Sequence, residues 1–246
     1  MLTAYQTDTQ NLLQKPGAST ALYDTTSITR WINIARGQLA GESECIRTIG
    51  TISTVPGQQA YNFADIDIGV AATTGREGVI NVRRVAYAVA GGQRWIPGFT
   101  WEWFDYYYLN TPVPAGSYPQ QWSQFAQGAA PGATGTAQGG SFYINVPDAI
   151  YTLYCDCTCY PITLVDDATV EAIPYLWTDA VPYFAAYYAL LSAQAGVRIA
   201  EAEKMMELYT KFVQRARRAA NPSVNTYQYE QSQDPAAQAK FGQGAA

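Results

Sequence analysis

PYLWTDAVPYFAAYYALLSAQAGVRIAEAEKMMELYTKFVQRARRA, residues 174–219, is the longest stretch with a sustained helical period, and the rest of the chain can be read as mounted on it. Two helices fit. In the first, Trp177, Val181, Phe184, Tyr188, Leu191 and Ala195 recur at three- and four-residue spacing, which gathers large apolar groups on one side of a 3.6-residue helix. Pro174 suits a first helical position and Gly196 a stop. In the second, Ile199, Ala202, Met206, Tyr209, Val213 and Ala216 form the apolar face, and Glu207 precedes Lys211 by four, the favourable order for an ion pair. Arg215, Arg217 and Arg218 bring positive charge to the carbonyl end of that helix, and Asn221-Pro222 closes it. Pro182 resists a helix running from Pro174, because it deletes a backbone hydrogen bond and crowds the preceding turn. Either the helix kinks near Thr178 or it begins near Val181.

Outward from this pair, composition sets bounds. At 246 residues, 48% hydrophobic and 13% aromatic, the chain has material for a sizeable core. Only 14% of residues are charged and the net charge is −5, so a broad electrostatic grip on DNA or on an acidic membrane is not expected. No apolar stretch approaches the roughly 20 residues of a bilayer span, and no basic region leads into an apolar run at the N-terminus; neither membrane insertion nor export is expected. Histidine is absent, which excludes Ser-His-Asp and Cys-His catalysis and histidine metal sites together. Cys155, Cys157 and Cys159 alternate along a β-rich run. They share one face at roughly 7 Å per step, too far for neighbours to form disulfides, and read as buried small hydrophobes. No cofactor or metal is expected.

Before the helix pair, residues 2–14 suggest a short helix. Asp24 or Thr26 can cap a second one with Ile28, Trp31, Ile32, Ala35 and Leu39 as its stripe. Period two then takes over. Ile46 to Ile52, the turn Val55-Pro56-Gly57-Gln58 and Ala60 to Phe63 suggest a hairpin; Val79 to Val89 returns through Gly91-Gly92 as Gln93 to Ile96. WEWFDYYYL, residues 101–109, is an aromatic cluster which, if helical, puts Trp101, Phe104, Tyr108 and Leu109 on one face. Residues 110–140 shift to Pro, Gly, Ala, Gln and Ser and read as a long loop, with Trp122 and Phe125 as isolated anchors available for a partner. Ser141 to Val146 and Ile150 to Tyr160 read as a second hairpin about Pro147-Asp148. The expected fold is α+β: a helical bundle from residues 1–44 and 166–220, an inserted antiparallel β-rich domain over 45–165 with the loop 110–140, and an extended tail, 221–246.

Acid–base chemistry would have to come from carboxylates, grouped as Asp65 with Asp67 and Asp166 with Asp167 and Glu171. Such pairs serve glycoside hydrolysis, with Trp101, Trp103 and Tyr106 to Tyr108 as a sugar platform. This gives one alternative, a carbohydrate-binding or depolymerising component; the structural reading is that these acids cap a helix start and a strand end. Arg83-Arg84 and Arg215-Arg217-Arg218 are the basic groupings, solvated or touching passing nucleic acid.

The runs WINIARGQLAGESECIRTIGTISTVPGQQAYNF (31–63), VINVRRVAY (79–87), GQRWIP (92–97), FYINVPDAIYTLYCDCTCYPITL (142–164) and IPYLWTDAVPYFAAYYALLSAQ (173–194) resemble the head-to-tail adaptor proteins of tailed bacteriophages, also called connector or head-completion proteins. The tail tubular proteins of short-tailed phages look similar in layout. The likeness covers most of residues 27 to 215 and rests on hydrophobic and turn patterning. It implies a non-enzymatic virion protein at the head–tail junction, assembled in the host cytoplasm. It implies a ring, usually of twelve copies, under the portal, enclosing a channel that genomic DNA crosses without sequence recognition and offering attachment to tail nozzle or fibre proteins. A C-terminal extension reaching the portal is also implied. Independently, residues 221–246 carry only Val224, Tyr227, Tyr229 and Phe241 as large apolar groups among Gln, Asn, Ser, Ala and Gly, which cannot fold alone. Tyr227, Tyr229 and Phe241 are the expected anchors on a neighbouring subunit or the portal, with Arg215, Arg217 and Arg218 as possible channel or portal contacts; the other arrangement is a segment folded back on its own domain.

Overall fold

The computed structural model has an α+β architecture and describes residues 1–14, 23–109, 117–128, 139–192 and 198–220. In chain order its elements are α1 (Leu2–Leu12), α2 (Thr25–Ser43), β1 (Arg47–Ser53), β2 (Ala60–Asn62), α3 (Ala71–Thr74), β3 (Arg76–Val89), β4 (Gly92–Ile96), α4 (Trp101–Phe104), β5 (Trp122–Ala126), β6 (Ser141–Ile144), β7 (Thr152–Pro161), α5 (Ala180–Ser192) and α6 (Ile199–Ala220). Asp24 caps α2 by accepting from the Ser27 N–H at 3.0 Å, and Ile28, Ile32, Ala35 and Leu39 are fully buried, as their spacing predicts.

Of the two alternatives that Pro182 left, the start near Val181 is the one observed: the helix begins at Ala180, not at Pro174, after a single 3-10 turn at Tyr175–Trp177. Pro182 therefore lies in the first turn, where backbone N–H groups have no intrahelical partner, and it costs no hydrogen bond. The buried face also differs. Val181 and Phe184 are inside as expected, but Tyr188 and Leu191 are 38% and 50% exposed, while Ala185, Ala186 and Ala189 are fully buried. The reason is that α5 packs against α1, α2 and α6 at once, so small residues admit close neighbours where a one-sided helix would need large ones. Phe184 meets Tyr209 of α6 with ring centroids 4.6 Å apart, and Tyr183 stacks on Phe212 at 5.8 Å. Ala195 and Gly196 lie outside the described residues.

Strands β1-β7-β3-β4 form one antiparallel sheet and β2-β6-β5 a second. Only the β3–β4 hairpin agrees with the sequence reading. Neither the hairpin expected about Pro56-Gly57 nor the one about Pro147-Asp148 exists: β1 pairs with β7, and β2 pairs with β6. Residues 47–62 and 141–161 run as one antiparallel ribbon that bends from the first sheet into the second. At the bend Thr54 N donates to the Tyr151 carbonyl at 2.8 Å and Gly57 N to that of Pro147 at 3.1 Å. The turn signals mark that bend, since Pro and Gly interrupt a ladder whether or not the chain reverses.

Strand β7 is the centre of the larger sheet. Cys155, Cys157 and Cys159 are all fully buried and free. Burial pushes the Cys155 thiol up to about 12 and that of Cys159 to about 11, and raises Cys157 as well. The stretch 110–140, expected as a loop, contains β5, paired with β6 from Trp122 to Ala126. Residues 110–116 and 129–138 lie outside the described residues.

Candidate functional site

The second sheet carries the aromatic cluster. Trp101 lies 4.7 Å from Tyr143 of β6 and 4.6 Å from Phe125 of β5, between ring centroids. Phe99 stacks on Trp103 at 4.1 Å, Trp103 meets Tyr107 at 4.5 Å, and Phe104 stacks on Tyr108 at 4.9 Å. Beyond Phe104 the helix widens into π-type turns over residues 105–109, which rotates Leu109 away from the expected shared face and leaves it 40% exposed. The result is a shelf whose lower side, Phe104, is buried and whose upper side stays in water: Tyr106, Tyr107 and Phe125 are 68%, 50% and 55% exposed. Trp122 is buried beneath the surface, its indole against Gly98, and Phe125 is the anchor that reaches solvent.

The C-terminus of α6 is a second feature. Arg215, Arg217 and Arg218 are exposed on its last turns. Sequence reasoning missed what holds this end. Arg47 donates through Nη1 to the Ala220 carbonyl at 2.7 Å and forms a forked ion pair with the nearly buried Asp156, through Nε at 3.3 Å and through Nη2. Arg83 also donates to the Ala220 carbonyl, at 3.5 Å, and pairs with Glu44 at 3.5 Å. Two guanidinium groups thus meet the negative end of the helix dipole and fix the Ala220 end of α6. Tyr227, Tyr229 and Phe241 lie outside the described residues.

Beside this helix end runs a groove of about 1010 Å³ between the outer face of α2 and the β-sheet. Ile34, Gly37 and Gly41 line it on the helix side, Asn81, Tyr160 and Leu164 on the other. A Cβ on Gly37 or Gly41 would meet nothing within 4 Å, so the helix backbone is open to the groove there.

The carboxylates singled out from the sequence all hold structure. Glu171 receives Arg36 in a fork, Nε to Oε2 at 3.0 Å and Nη2 to Oε1 at 2.8 Å, and accepts from the Tyr5 hydroxyl at 3.0 Å. Arg36 is 1% exposed and also donates to the Ile162 carbonyl at 2.6 Å and to Asn33 Oδ1 at 3.1 Å. One buried cluster thereby joins α1, α2 and the segment between β7 and α5. Burial, and then the charge of Glu171, push the Tyr5 hydroxyl far above its ordinary value. Asp167 accepts from the Met1 amino group at 2.7 Å and from Thr3 N at 2.8 Å, which caps α1 and holds its carboxyl well below the usual range. Asp166 accepts from the N–H groups of Ala168 and Thr169, Asp67 from that of Gly69 at 2.9 Å, and Asp65 from Asn62 Nδ2 at 3.4 Å. A depolymerising role draws no support from them. Arg36 carried no sequence signal, since one arginine inside an apolar stripe looks like an exposed residue until its partners converge.

An aromatic shelf, an open groove and an anchored basic helix end are features of the class of structural proteins that act through contacts with other proteins. The chain belongs to the SU10 adaptor protein family, whose model matches residues 2–236. This is the bacteriophage head-to-tail adaptor assignment that the sequence patterning suggested, and it makes the chain a structural component of a phage virion, associated with portal and tail components. No curated protein matches the chain. Among the described residues no helix is long and apolar enough to cross a membrane.

Proposed function

We propose that the chain is the subunit of an adaptor ring, of about twelve copies as in similar phage adaptors, that docks on the portal, prolongs the DNA channel and offers a surface to tail nozzle or fibre proteins. The observation that carries this reading is the amount of large apolar surface left in water at separate places. Tyr175 and Leu176 are 84% and 74% exposed on the helical side, and the shelf around Tyr107 and Phe125 lies on the β side. A monomer that acts alone rarely keeps several such surfaces. In this reading the bundled helices of 1–44 and 166–220 make the wall between subunits. The β-rich part, 45–165, presents Phe125, packed on Trp101 and Tyr143, to tail components, while Trp122 is buried. Residues 221–246 reach the portal through Tyr227, Tyr229 and Phe241, with Arg215, Arg217 and Arg218 at their root, facing the portal or passing DNA. The family match runs past Ala220 to residue 236, which supports a shared role for most of that segment. Net charge −5 suits a channel that DNA crosses without sticking.

Electron microscopy of the purified chain, alone and with portal, tests this. Closed rings or decorated portals are expected; a monomer that ignores the portal refutes it. Deleting the residues after Pro222 is expected to abolish portal docking with the circular dichroism spectrum unchanged, and retained docking removes the role given to the segment.

A further inference from the structure

The groove beside α2 has the dimensions and chemistry of a binding site for a chain segment, and the molecule supplies one at its mouth. The last held atom of α6, the Ala220 carbonyl, is fixed by Arg47 and Arg83, and Arg83 pairs with Glu44, two residues beyond Glu42, which lines the groove. Asn81, on the same strand as Arg83, lines it as well. Residues 221–246 therefore start beside one end of the groove. Extended, they advance roughly 3.3 Å per residue, far more than the roughly 30 Å that α2 spans at 1.5 Å per residue.

The chemistry agrees with the reach. Gln38 and Asn81 give the groove amide walls around Ile34 and the bare backbone at Gly37 and Gly41, while the polar groups of Thr29 and Asn33 are already bonded within the fold. Residues 221–246 are rich in Gln, Asn and Ser, with Tyr227 and Tyr229 as large flat groups and Glu230, Asp234 and Lys240 as their charges. An amide-rich strand can exchange hydrogen bonds with such walls while a tyrosine ring covers an exposed glycine face. The groove's own charges, Arg30 and Glu42, are of opposite sign, which disfavours a polyanion as its occupant.

We infer that in the unassembled subunit the segment after Ala220 folds back into the groove between α2 and the β-sheet of its own chain. The hold keeps Tyr227 and Tyr229 from pairing with other copies. Its surrender to a portal rests on the reading above; the hold itself does not.

The test uses the full chain without portal. Ile34 is replaced by the photo-crosslinking residue p-benzoylphenylalanine in an equal mixture of ¹⁴N and ¹⁵N chains, and the products are mapped by mass spectrometry. Crosslinks to peptides from 221–246 in same-isotope pairs are expected. Mixed-isotope pairs at their statistical share would assign the groove to a second copy and overturn the inference, as would crosslinks solely elsewhere or none. Gly41→Trp, which fills the groove from a position where a side chain meets nothing, is expected to lower the crosslink at least about tenfold, and Gly37→Trp to do the same if Gly41→Trp disturbs the circular dichroism spectrum. An unchanged yield in a folded variant overturns the groove as the site.

Discussion

Replacing Glu171 by glutamine keeps the shape of the buried cluster and removes its negative charge. The Arg36 guanidinium, 1% exposed, then retains the Ile162 carbonyl and Asn33 Oδ1 but faces an amide, one of whose N–H groups points at another donor. Removing one partner from a buried ion pair costs about 3–5 kcal/mol, because the remaining charge stays desolvated. Glu171 is 11% exposed, so water can partly approach the site, and the lower end, about 3 kcal/mol, is expected. For a chain of this size that corresponds to a fall of about 6–12 °C in Tm. Equilibrium urea unfolding, followed by circular dichroism, measures it directly. The same reasoning predicts strong coupling: Arg36→Met with Glu171→Leu loses both charges together, and the double variant is expected to be less destabilised than the sum of the singles. A Glu171→Gln variant within about 0.5 kcal/mol of the parent, or additive singles, would refute the cluster as the tie between α1, α2 and the β7–α5 segment.

Burial raises the Cys155, Cys157 and Cys159 thiols, so at pH 8 the folded chain is expected to resist iodoacetamide at these three positions and to react fully in urea; rapid native labelling contradicts the packing of β7. Asp167 has a lowered folded value, so its capping contribution is present above the unfolded carboxylate value of about 3.9 and is lost as pH falls through the folded one. Asp167→Asn is therefore expected to weaken the chain at neutral pH and flatten its acid limb, and a parent-like acid titration of stability would refute the cap. Gly75 holds φ +70°, and a Cβ there would lie 2.6 Å from the Val170 carbonyl oxygen, so Gly75→Ala is expected to cost about 1–3 kcal/mol in urea titration. An unchanged midpoint would show that the approach relaxes freely. Tyr107→Ser with Phe125→Ser is expected to leave the stability of the isolated chain within about 0.5 kcal/mol while weakening association in sedimentation velocity; unaltered association removes the shelf from the assembly reading.

Helix α2 was largely legible because its cap and its stripe are both local: of the two candidate caps Asp24 reaches a backbone N–H three residues on, and Ile28, Ile32, Ala35 and Leu39 are buried on one side while Trp31, expected with them, is only half-buried. The β3–β4 hairpin was legible for the same reason, its last partners, Val89 and Gly92, being separated by Ala90 and Gly91 alone. The ribbon was not. Gly50 pairs with Cys155 and Tyr61 with Phe142, and no local pattern distinguishes a turn that reverses a strand from a bend that carries two paired strands into another sheet. The face of α5 failed through the opposite cause: its pattern was clear, but three neighbouring helices made alanines the contacting residues. At the candidate sites, the basic end of α6 showed in the sequence as charge, whereas its anchors Arg47 and Arg83 come from two strands far away in the chain.

Most of the ionisable groups singled out from the sequence turn out to be tied up in caps, turns and buried pairs, which leaves the outward faces to aromatic rings, amides and bare glycine backbone. Recognition by such faces depends on shape and buried area, and counter-ions screen it little. The α6 end differs, because Arg215 and Arg218 are exposed within one turn of each other near the end of the helix. An adaptor built this way is expected to hold protein partners with little dependence on salt except at this one corner. If that corner meets the portal, raising ionic strength weakens portal docking in proportion while leaving contacts through the shelf intact; if it meets DNA in the channel, docking is indifferent to salt. Measuring portal affinity across ionic strength, with Arg215→Gln and Arg218→Gln as controls, therefore separates the two places the arginines can face.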